Sequence, residues 1–531
     1  MSTPSVMRTG QPCVLKGRVV TMDDGLRVIT NGCIYVKDGV IVSVRKDGDK
    51  PPVGFRKAVV IQTGGTIFPG LIELHNHLSY NVLPLWDVPK RYQHRGQWPG
   101  TPLYRRDISG PMNVLGRTKG YSAAIVRYVE AKCLLAGVTT SQGISLSSNK
   151  GINRFYKGYV RNVEQPIDKS LPKARTSIRD VDPKKVEKFF ADLKRTSCML
   201  LHLSEGKGAR ARKHFLALQR KDESWAINRA LAGIHAAALN RTDFGVMGKK
   251  NASIVWSPLS NYLLYGDTAE IASAKAEGVN ITLGSDWSPS GSRNLLGELK
   301  VAAAVSDHLG GLFTKAELVS LVTRNAAKAL RWQKSLGTIE AGKLADLVVI
   351  SRKSGDPYDR LISATEEDVD LVMISGTARA GRAKLMKKLG KITEEVRVGS
   401  KVVALNLDPD GADEIVGKLS LADARKLLAT GMRKLPELAK TLERSVASFS
   451  PKSFREEAET WYIDLDHEDG ETVFALFKKT AAALKEPRKR PLSKSVQPMK
   501  LDGLTMSGDN GYRARIRRSR NLPNFLKAAF R

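Results

Sequence analysis

Short apolar segments alternate with helical segments between residues 68 and 330, and this alternation constrains the fold more than any other feature of the sequence. It predicts strands at 199–203, 231–236, 253–256 and 281–285, and helices at 121–136, 183–194, 295–308 and 315–323. Repeated alternation of strand and helix favours a parallel sheet. Over a span of roughly 250 residues, the leading architecture is an α/β fold of the TIM-like (β/α)8 barrel type. We expect the third and fourth strands within residues 150–180, where the strand signal is weak.

The barrel segment is flanked on both sides by sequence that is typical of β structure. Before it, Asp38-Gly39 lies between two β-branched runs and predicts a tight hairpin, and Asn31-Gly32 is a second turn signal. After it, strands are predicted at 347–350 and 371–374. We therefore expect the two flanks, residues 1–67 and 331–404, to build one satellite β-sandwich domain beside the barrel at 68–330.

The last part of the chain is predicted to contain a helical extension followed by a basic tail. Start and stop signals at Ser420, Gly431 and Pro436 predict helices at 421–430 and 436–448, within a C-terminal α-rich extension over 405–484. Residues 485–531 contain 13 Lys and Arg against 3 Asp and Glu, which gives a net charge of +10. Because this segment shows little periodicity, we expect a loosely ordered tail.

The net charge of the whole chain suits a nucleic-acid partner, but the sequence offers no matching module. The chain has 86 Lys and Arg against 54 Asp and Glu, a net charge of +32, and a strongly basic balance is one sign of nucleic-acid binding. The tail accounts for +10, and the remaining +22 is spread over the first 484 residues. Binding of nucleic acid or an anionic surface through the tail therefore stays open and is not favoured.

Three features predict a cytoplasmic protein. No apolar run reaches the length of about 18 residues that a membrane-spanning helix needs. Residues 1–11 lack the apolar core of a secretory signal peptide. The four cysteines are scattered without CxxC spacing, which argues against a disulfide framework and against a thiolate metal site.

Two of the eight histidines occur as His75-Asn76-His77 at the end of an apolar strand. In a strand, residues two apart face the same side. Both imidazoles are therefore expected to point the same way at the C-terminal mouth of a barrel, where barrel enzymes place their active sites. Neutral imidazole is a common ligand for zinc and iron.

Three further polar residues end other apolar strands of the same segment. His202 and His235 end the strands at 199–203 and 231–236, and Asp286 ends the strand at 281–285. The end of a buried strand is a costly place for a polar side chain without a partner. Convergence of these residues on one metal ion is the simplest explanation of their positions.

With these residues in place, the chain resembles the amidohydrolase superfamily of metal-dependent hydrolases. It is most similar to the branch of mononuclear deaminases and chlorohydrolases that act on purine, pyrimidine and triazine-like rings. The resemblance covers about residues 14–380 and rests on His235 and on the segments FPGLIELHNH at 68–77, HLSE at 202–205, SPLSNYLL at 257–264, LGSD at 283–286 and GTIEAGKLADL at 337–347.

The resemblance implies a role for each residue of the set. The ligands of one divalent transition metal, zinc in preference to iron, would be His75, His77, His202 and Asp286. Asp286 would also act as general base toward the metal-activated water. Glu205 would protonate the ring nitrogen, and His235 would hydrogen-bond the attacking water. One metal is favoured over two, because no lysine lies on a confidently predicted strand.

The function implied is hydrolysis of a non-peptide carbon–nitrogen bond in a small-molecule substrate, in particular the hydrolytic deamination of a nitrogen heterocycle. Cyclic-amide or N-acyl hydrolysis on the same barrel is an alternative. A non-catalytic binding scaffold is another, although a scaffold has no need to keep six converging polar residues. We also expect a homo-oligomer.

Three residues are candidate substrate contacts. Trp86 lies in the long segment 83–120, which either builds the substrate pocket or is a solvated surface insertion. Asn261 belongs to the segment at 257–264. Arg293 follows Asp286 in a stretch whose sequence differs from the usual deaminase motif. It either meets an anionic substrate group or caps the rim of the barrel.

Overall fold

The computed structural model describes residues 12–408, 413–447, 450–465 and 491–530. The last part of the expected helical extension and the start of the expected tail, residues 466–490, lie outside these ranges. None of the helices in the described ranges is long and apolar enough to cross a membrane.

Parallel strands alternate with helices between residues 68 and 330, as the sequence predicts. One sheet has the strand order Leu71–Glu73, Val138–Ser141, Arg161–Asn162. A second has the order Ala174–Ser177, Cys198–Leu203, Leu231–His235, Ser253–Trp256, Asn280–Leu283. Apart from Ala174–Ser177, the strands of the second sheet are apolar and are buried on both faces along most of their length, the usual condition of strands in a parallel sheet.

Backbone hydrogen bonds join the two parallel sheets at both of their edges. The amide of Ala174 donates to the carbonyl of Val163 (2.9 Å) at one edge. At the other edge, the amide of Asp286 donates to the carbonyl of His75 (2.9 Å), and the amide of His77 donates to the carbonyl of Asp286 (2.8 Å). The carboxyl ends of the first and last strands therefore meet.

Two helices of this region begin at a capping box. Asn240 and Asp243 form a capping box, as do Thr314 and Glu317. The longer helices of the region are Gly110–Arg117, Tyr121–Leu135, Val186–Lys194, Ala209–Leu216, Arg241–Lys249, Pro258–Tyr265, Ile271–Ala276, Leu295–His308, Lys315–Leu321 and Arg324–Leu330.

The two flanking segments come together in one sheet, as expected. Its nine strands have the order Glu394–Val398, Lys401–Leu405, Thr377–Gly381, Val369–Ile374, Leu347–Ile350, Val59–Pro69, Cys13–Val20, Val28–Lys37, Val40–Lys46. The hairpin at Asp38-Gly39 is confirmed, and both residues have positive φ, as this turn requires. The turn expected at Asn31-Gly32 is wrong, because both residues lie inside the strand Val28–Lys37. The two layers of a sandwich stay a prediction.

Two helices follow this sheet, as predicted, at Leu421–Arg433 and Leu435–Ala447. Gly431 does not end the first of them. A Cβ atom at Gly431 would lie 2.3 Å from Cε1 of Tyr121, so the glycine permits close packing of the helix against that ring.

The prediction of a loosely ordered tail is wrong for residues 491–530. This segment contains helices at Asn510–Arg518 and Asn524–Ala528, and it buries Tyr512, Ile516 and Leu526 against the main core. The burial of this segment could not be predicted from the sequence, because its apolar residues are few and five of the eight residues at 513–520 are arginines. The arginines at 517, 518 and 520 are exposed, whereas the spacing of Tyr512 and Ile516 places both on one helix face.

Candidate active site

The predicted metal ligands lie together at the carboxyl ends of the first, fifth and eighth parallel strands. Nε2 of His75 lies 3.2 Å from Nε2 of His202 and 3.4 Å from Oδ1 of Asp286. Nε2 of His77 lies 3.5 Å from the same Oδ1 atom. His75 is fully buried, and the side chain of His77 is 15% exposed, so the cluster is open to solvent on one side only.

The local backbone helps to aim two of these side chains. Asp286 and His235 both have φ of 67°, in the left-handed region, just where their strands end. This conformation is unfavourable for residues other than glycine and tends to persist where the surrounding structure enforces it, often at functional sites. It turns the chain away from the strand direction, so that each polar side chain stays over the mouth of the parallel strands.

Three residues of the segment 257–261 contact atoms of His75, His235 and Asp286. Ser257 and Asn261 lie against the outer nitrogens of two histidines, and the Ser260 hydroxyl donates to a carboxylate. The distances are 2.7 Å from Ser257 Oγ to His75 Nδ1, 2.9 Å from Asn261 Oδ1 to His235 Nδ1, and 2.6 Å from Ser260 Oγ to Asp286 Oδ2. Such partners set the orientation of metal ligands and their neighbours.

Asn261, expected to contact substrate, is placed instead behind His235. Its side-chain amide donates to Oγ1 of Thr268 (3.2 Å), which directs its oxygen toward His235 Nδ1. An amide oxygen can only accept, so Nδ1 of His235 carries a hydrogen, and Nε2 faces the site. The structure therefore gives Asn261 a positioning contact.

Burial sets the charge of the cluster. Burial and the neighbouring imidazoles lower the pKa of His75 and of His202 well below the usual value, so both rings are neutral. Burial raises the pKa of Asp286, and the nearby imidazoles and the Ser260 hydroxyl oppose this increase. Neutral imidazole is the form that binds a metal ion.

Glu205 lies beside the cluster and is held by three groups. Its Oε1 atom accepts a hydrogen bond from the Tyr265 hydroxyl (2.7 Å), and its Oε2 atom lies 3.5 Å from Nη1 of Arg95 and 3.7 Å from Nε2 of His235. Burial acts to raise the pKa of Glu205, but His235, Arg95 and Tyr265 outweigh burial and lower it. The sequence pointed to Glu205 and missed Arg95 and Tyr265, which come from distant segments.

An aromatic wall, formed by Trp287, Trp98, Tyr104 and Tyr80, borders the cluster on the side of His77. The ring of Trp287 lies 5.6 Å from the His77 ring and 6.0 Å from the Trp98 ring, between ring centroids. Tyr104 and Tyr80 lie 6.4 Å and 5.1 Å from Trp287. Sequence analysis proposed none of the four as a substrate contact, although Trp287 directly follows Asp286 and Trp98 and Tyr104 are among the aromatic residues of the segment 83–120.

Trp86 stands one layer behind this wall. Its ring stacks on that of Tyr92 at 6.5 Å and meets that of Tyr104 at 6.0 Å, and it is buried. The segment 83–120 is thus packed into the body of the protein around these rings, which favours the pocket over a solvated insertion.

Arg293 is not placed to meet a substrate. Its guanidinium is buried and binds the carboxylates of Asp502 (2.7 Å) and Asp509 (2.8 Å) in the C-terminal segment. The sequence had left open an anionic substrate group or the barrel rim. The partner is a carboxylate 209 residues further along the chain.

Parallel strands that carry imidazole and carboxylate groups at their carboxyl ends are typical of metal-dependent hydrolases. The chain matches the amidohydrolase family over residues 200–379. It is 22% identical over 393 residues to the 5-methylthioadenosine/S-adenosylhomocysteine deaminase of Moorella thermoacetica, a match that covers 67% of this chain and 92% of that protein. Over these residues the chain is similar to the amidohydrolase superfamily, and it is a hydrolase of carbon–nitrogen bonds other than peptide bonds.

Solved structures share the fold. A zinc-bound adenosine deaminase from Xanthomonas campestris has a TM-score of 0.54 at 18% identity, covering 72% of this chain and 94% of that one. The zinc complex of atrazine chlorohydrolase from Arthrobacter aurescens has a TM-score of 0.52 at 19% identity, covering 69% and 94%. The fold of this chain is accordingly of the TIM-barrel kind.

Proposed function

We propose that the protein is a hydrolytic deaminase that uses one bound metal ion to replace the amino group of a 6-aminopurine nucleoside by oxygen, releasing ammonia. The observation that carries the proposal is the meeting of Glu205, His235 and Asp286 with the three other histidines in one buried cluster. The substrate class rests on the relatives, which are named as deaminases of adenosine-type compounds.

The residues present fit a divalent transition metal. Nε2 of His75 and Nε2 of His202 face each other at 3.2 Å, and a carboxylate oxygen of Asp286 completes the approach at 3.4 Å. Imidazole and carboxylate suit zinc, and iron also accepts them, so we favour zinc. The strand Ala174–Ser177 contains no lysine that could bridge a second ion, which supports a single metal with His75, His77, His202 and Asp286 as ligands.

When bound, the metal lowers the pKa of a water molecule so that hydroxide is available near neutral pH. Asp286, held by Ser260, takes the proton of that water. His235 directs Nε2 toward the site, where it would hydrogen-bond the attacking water. Glu205 is ionised before the reaction, since its pKa is lowered, and it would receive the proton that Asp286 has taken from the water. Glu205 would deliver that proton to the ring nitrogen and pass it on to the departing amino group, which leaves as ammonia.

The aromatic wall supplies a flat apolar surface for the heterocycle. Trp287 and Trp98 are both buried; Trp287 lies next to His77, the most exposed of the proposed ligands, and Trp98 lies against Trp287. Aromatic side chains bind nucleobases by stacking, which tolerates variation of the ring. The wall therefore orients the ring plane, and Glu205 and His235 select the reacting carbon.

We further infer that the eight parallel strands close into a barrel. The backbone hydrogen bonds at Ala174 and at Asp286 join the two parallel sheets at both edges, which supports closure. In this arrangement the cluster lies at the C-terminal mouth, where barrel enzymes carry out their chemistry. A cytoplasmic location, a homo-oligomeric state and weak binding of nucleic acid through the C-terminal segment stay predictions.

The proposal is tested by measuring ammonia release from a panel of substrates. The panel contains 5′-substituted adenosines, adenosine, guanine, cytosine and a set of cyclic amides and N-acyl amino acids. Release from the adenosine-type members and from none of the amides supports deamination. Hydrolysis of the cyclic or N-acyl amides alone would replace the proposal with the amidohydrolase alternative, and inactivity toward every member in a metal-loaded protein would favour a scaffold.

Removal of the metal is expected to abolish ammonia release. The purified protein should contain about one equivalent of transition metal per chain, because the described ligand set can hold one ion. Dialysis against a chelator should lower the metal content and the activity in parallel, and added Zn²⁺ should restore both. Elemental analysis combined with the ammonia assay measures this, and a metal-free preparation of full activity would contradict it.

Replacing Trp287 by alanine is expected to raise KM for the heterocycle by about tenfold with a smaller change in kcat, since loss of one base-stacking partner costs roughly 1–3 kcal/mol. Trp287→Phe keeps a ring at the position and should recover most of the loss. Steady-state kinetics on both variants provides the measurement. A Trp287→Ala enzyme with unchanged KM would place the ring outside the substrate pocket.

A further inference from the structure

The C-terminal segment 500–522 is attached to the loop that follows His77. The amide of Asp502 donates to the carbonyl of Val82 (3.0 Å), and Nη1 of Arg515 donates to the carbonyl of Leu85 (2.7 Å). Further along, the side-chain amide of Asn521 donates to the carbonyls of residues 90 (3.2 Å) and 263 (2.7 Å). The segment therefore lies over one side of the candidate active site.

Asp502 neutralises two buried cations. Its carboxylate lies 2.8 Å from Nζ of Lys132 and 2.7 Å from Nη2 of Arg293, and each of the three side chains is only 3% exposed. Burial acts to raise the pKa of Asp502, but Lys132 and Arg293 outweigh burial and lower it. Buried charges of this kind depend on their partners, because water cannot replace a lost contact.

The network continues from Lys132 toward the metal ligands. Nζ of Lys132 donates to the backbone carbonyl of Asn81 (2.7 Å) and to Oγ of Ser288 (3.2 Å). The side chain of Asn81 accepts from the amide of Ser288 (2.7 Å) and donates to Oδ1 of Asn76 (2.9 Å). One lysine and one asparagine thus connect the C-terminal segment to two loops of the site.

Both loops carry proposed metal ligands. Asn76 stands between His75 and His77, and Ser288 follows Asp286 by two residues. The backbone hydrogen bonds between residues 75, 286 and 77 join the same two loops directly beneath the cluster. A shift of either loop would therefore change the distances between ligand atoms from different strands.

Much of this chain has no counterpart in the relative described above. The match to the Moorella thermoacetica deaminase covers 92% of that protein but only 67% of this chain. In this chain, the C-terminal segment is bonded to the loop that follows His77 through Asp502 and Arg515.

We propose that Asp502 is a positioning residue of the metal centre, acting through Lys132 and Asn81 on the two loops that carry His75, His77 and Asp286. The C-terminal segment is thereby part of the active-site support. The proposal depends on the metal site proposed above, and it is independent of which substrate the enzyme takes.

The test compares Asp502→Asn with Asp509→Asn in the full chain. Each protein is loaded with Zn²⁺ or with Co²⁺, and the rate of metal loss to a chelator, the visible absorption of the Co²⁺ form and the melting temperature are measured. Asp502→Asn is expected to lose metal about tenfold faster, as variants of such supporting partners commonly do, and to change the Co²⁺ absorption. Its kcat should fall while KM changes little.

Asp509→Asn is the matched control. Asp509 binds the same Arg293 (2.8 Å) but its side chain is 33% exposed, and it is not among the partners of Lys132 in the described part of the chain. Its metal loss and Co²⁺ absorption should equal those of the parent protein. An Asp502→Asn protein that melts at a lower temperature yet keeps parental metal loss and absorption would overturn the proposal and leave Asp502 with a purely structural role.

If Asp502→Asn does not fold, Asn81→Ser provides the same test without removing a buried charge. It breaks the link from Ser288 to Asn76 and should also accelerate metal loss. Parental metal retention in a folded Asn81→Ser protein would overturn the proposal. Metal retention is measured without substrate, so a protein that keeps its metal normally and releases no ammonia contradicts the proposed function alone.

Discussion

Replacing Glu205 by glutamine should lower kcat by about 10²–10⁴-fold, the range that loss of a general acid or base commonly produces. Glutamine keeps the size of the side chain and the acceptor for the Tyr265 hydroxyl, but it cannot deliver a proton. The metal should remain bound, because Glu205 is not one of the four proposed ligands and contacts Tyr265, Arg95 and His235 instead. Steady-state ammonia release and elemental analysis measure the two effects separately.

Tyr265→Phe is the informative companion of this variant. It removes the hydrogen bond to Oε1 of Glu205 and leaves the carboxylate in place. Since a hydrogen bond to a charged group contributes about 1.5–3 kcal/mol, we expect a loss of activity much smaller than that of Glu205→Gln. A Glu205→Gln protein that loses its metal together with its activity would make Glu205 a ligand and contradict the role of proton donor.

Truncation after residue 490 is expected to leave a chain that does not fold to a soluble protein. The missing segment buries seven apolar side chains, Val496, Met506, Tyr512, Ile516, Leu522, Leu526 and Phe530. Each contributes roughly 1.5–3 kcal/mol by burial. Loss of Asp502 also leaves Lys132 and Arg293 buried without their shared carboxylate, and breaking a buried ion pair costs about 3–5 kcal/mol. The total is comparable with the stability of about 5–15 kcal/mol that whole domains possess.

The control for this truncation removes charge from the same segment without removing its packing. Arg518 and Arg520 are exposed, so Arg518→Gln combined with Arg520→Gln should leave expression, melting temperature and ammonia release unchanged. Solubility and thermal unfolding of the three proteins distinguish the two contributions. A soluble truncation with the parental melting temperature would show that the segment is dispensable, as expected of a loosely ordered tail.

Much of the fold could be predicted because its signals are local. The strands Cys198–Leu203 and Ser253–Trp256 are continuous apolar runs, and the helix Leu295–His308 begins at a capping asparagine. The strands Arg161–Asn162 and Ala174–Ser177 were only weakly signalled, since they are short and polar. Neighbouring strands, and not their own composition, hold these two segments in the sheet.

The residues of the candidate site likewise divide into those with a local sequence signal and those without one. His75 and Asp286 were found because polar side chains at the ends of apolar strands are conspicuous in the sequence. Tyr265 and Arg95, which hold Glu205, and Trp98, which stands in the wall, gave no comparable signal. Each lies in a loop or helix whose distance from the cluster depends on how the strands are arranged around it.

The sequence by itself determined which side chains would end the buried strands and therefore which chemistry they could perform, because hydrophobic periodicity is a property of neighbouring residues. Only the tertiary structure decided what becomes of the basic C-terminal segment. Asp502 lies 370 residues from Lys132 and 209 from Arg293 along the chain. A charge is solvated or buried according to the partners that folding brings to it. The pattern of arginines alone therefore predicted a loosely ordered tail, whereas the folded protein packs residues 491–530 against its core.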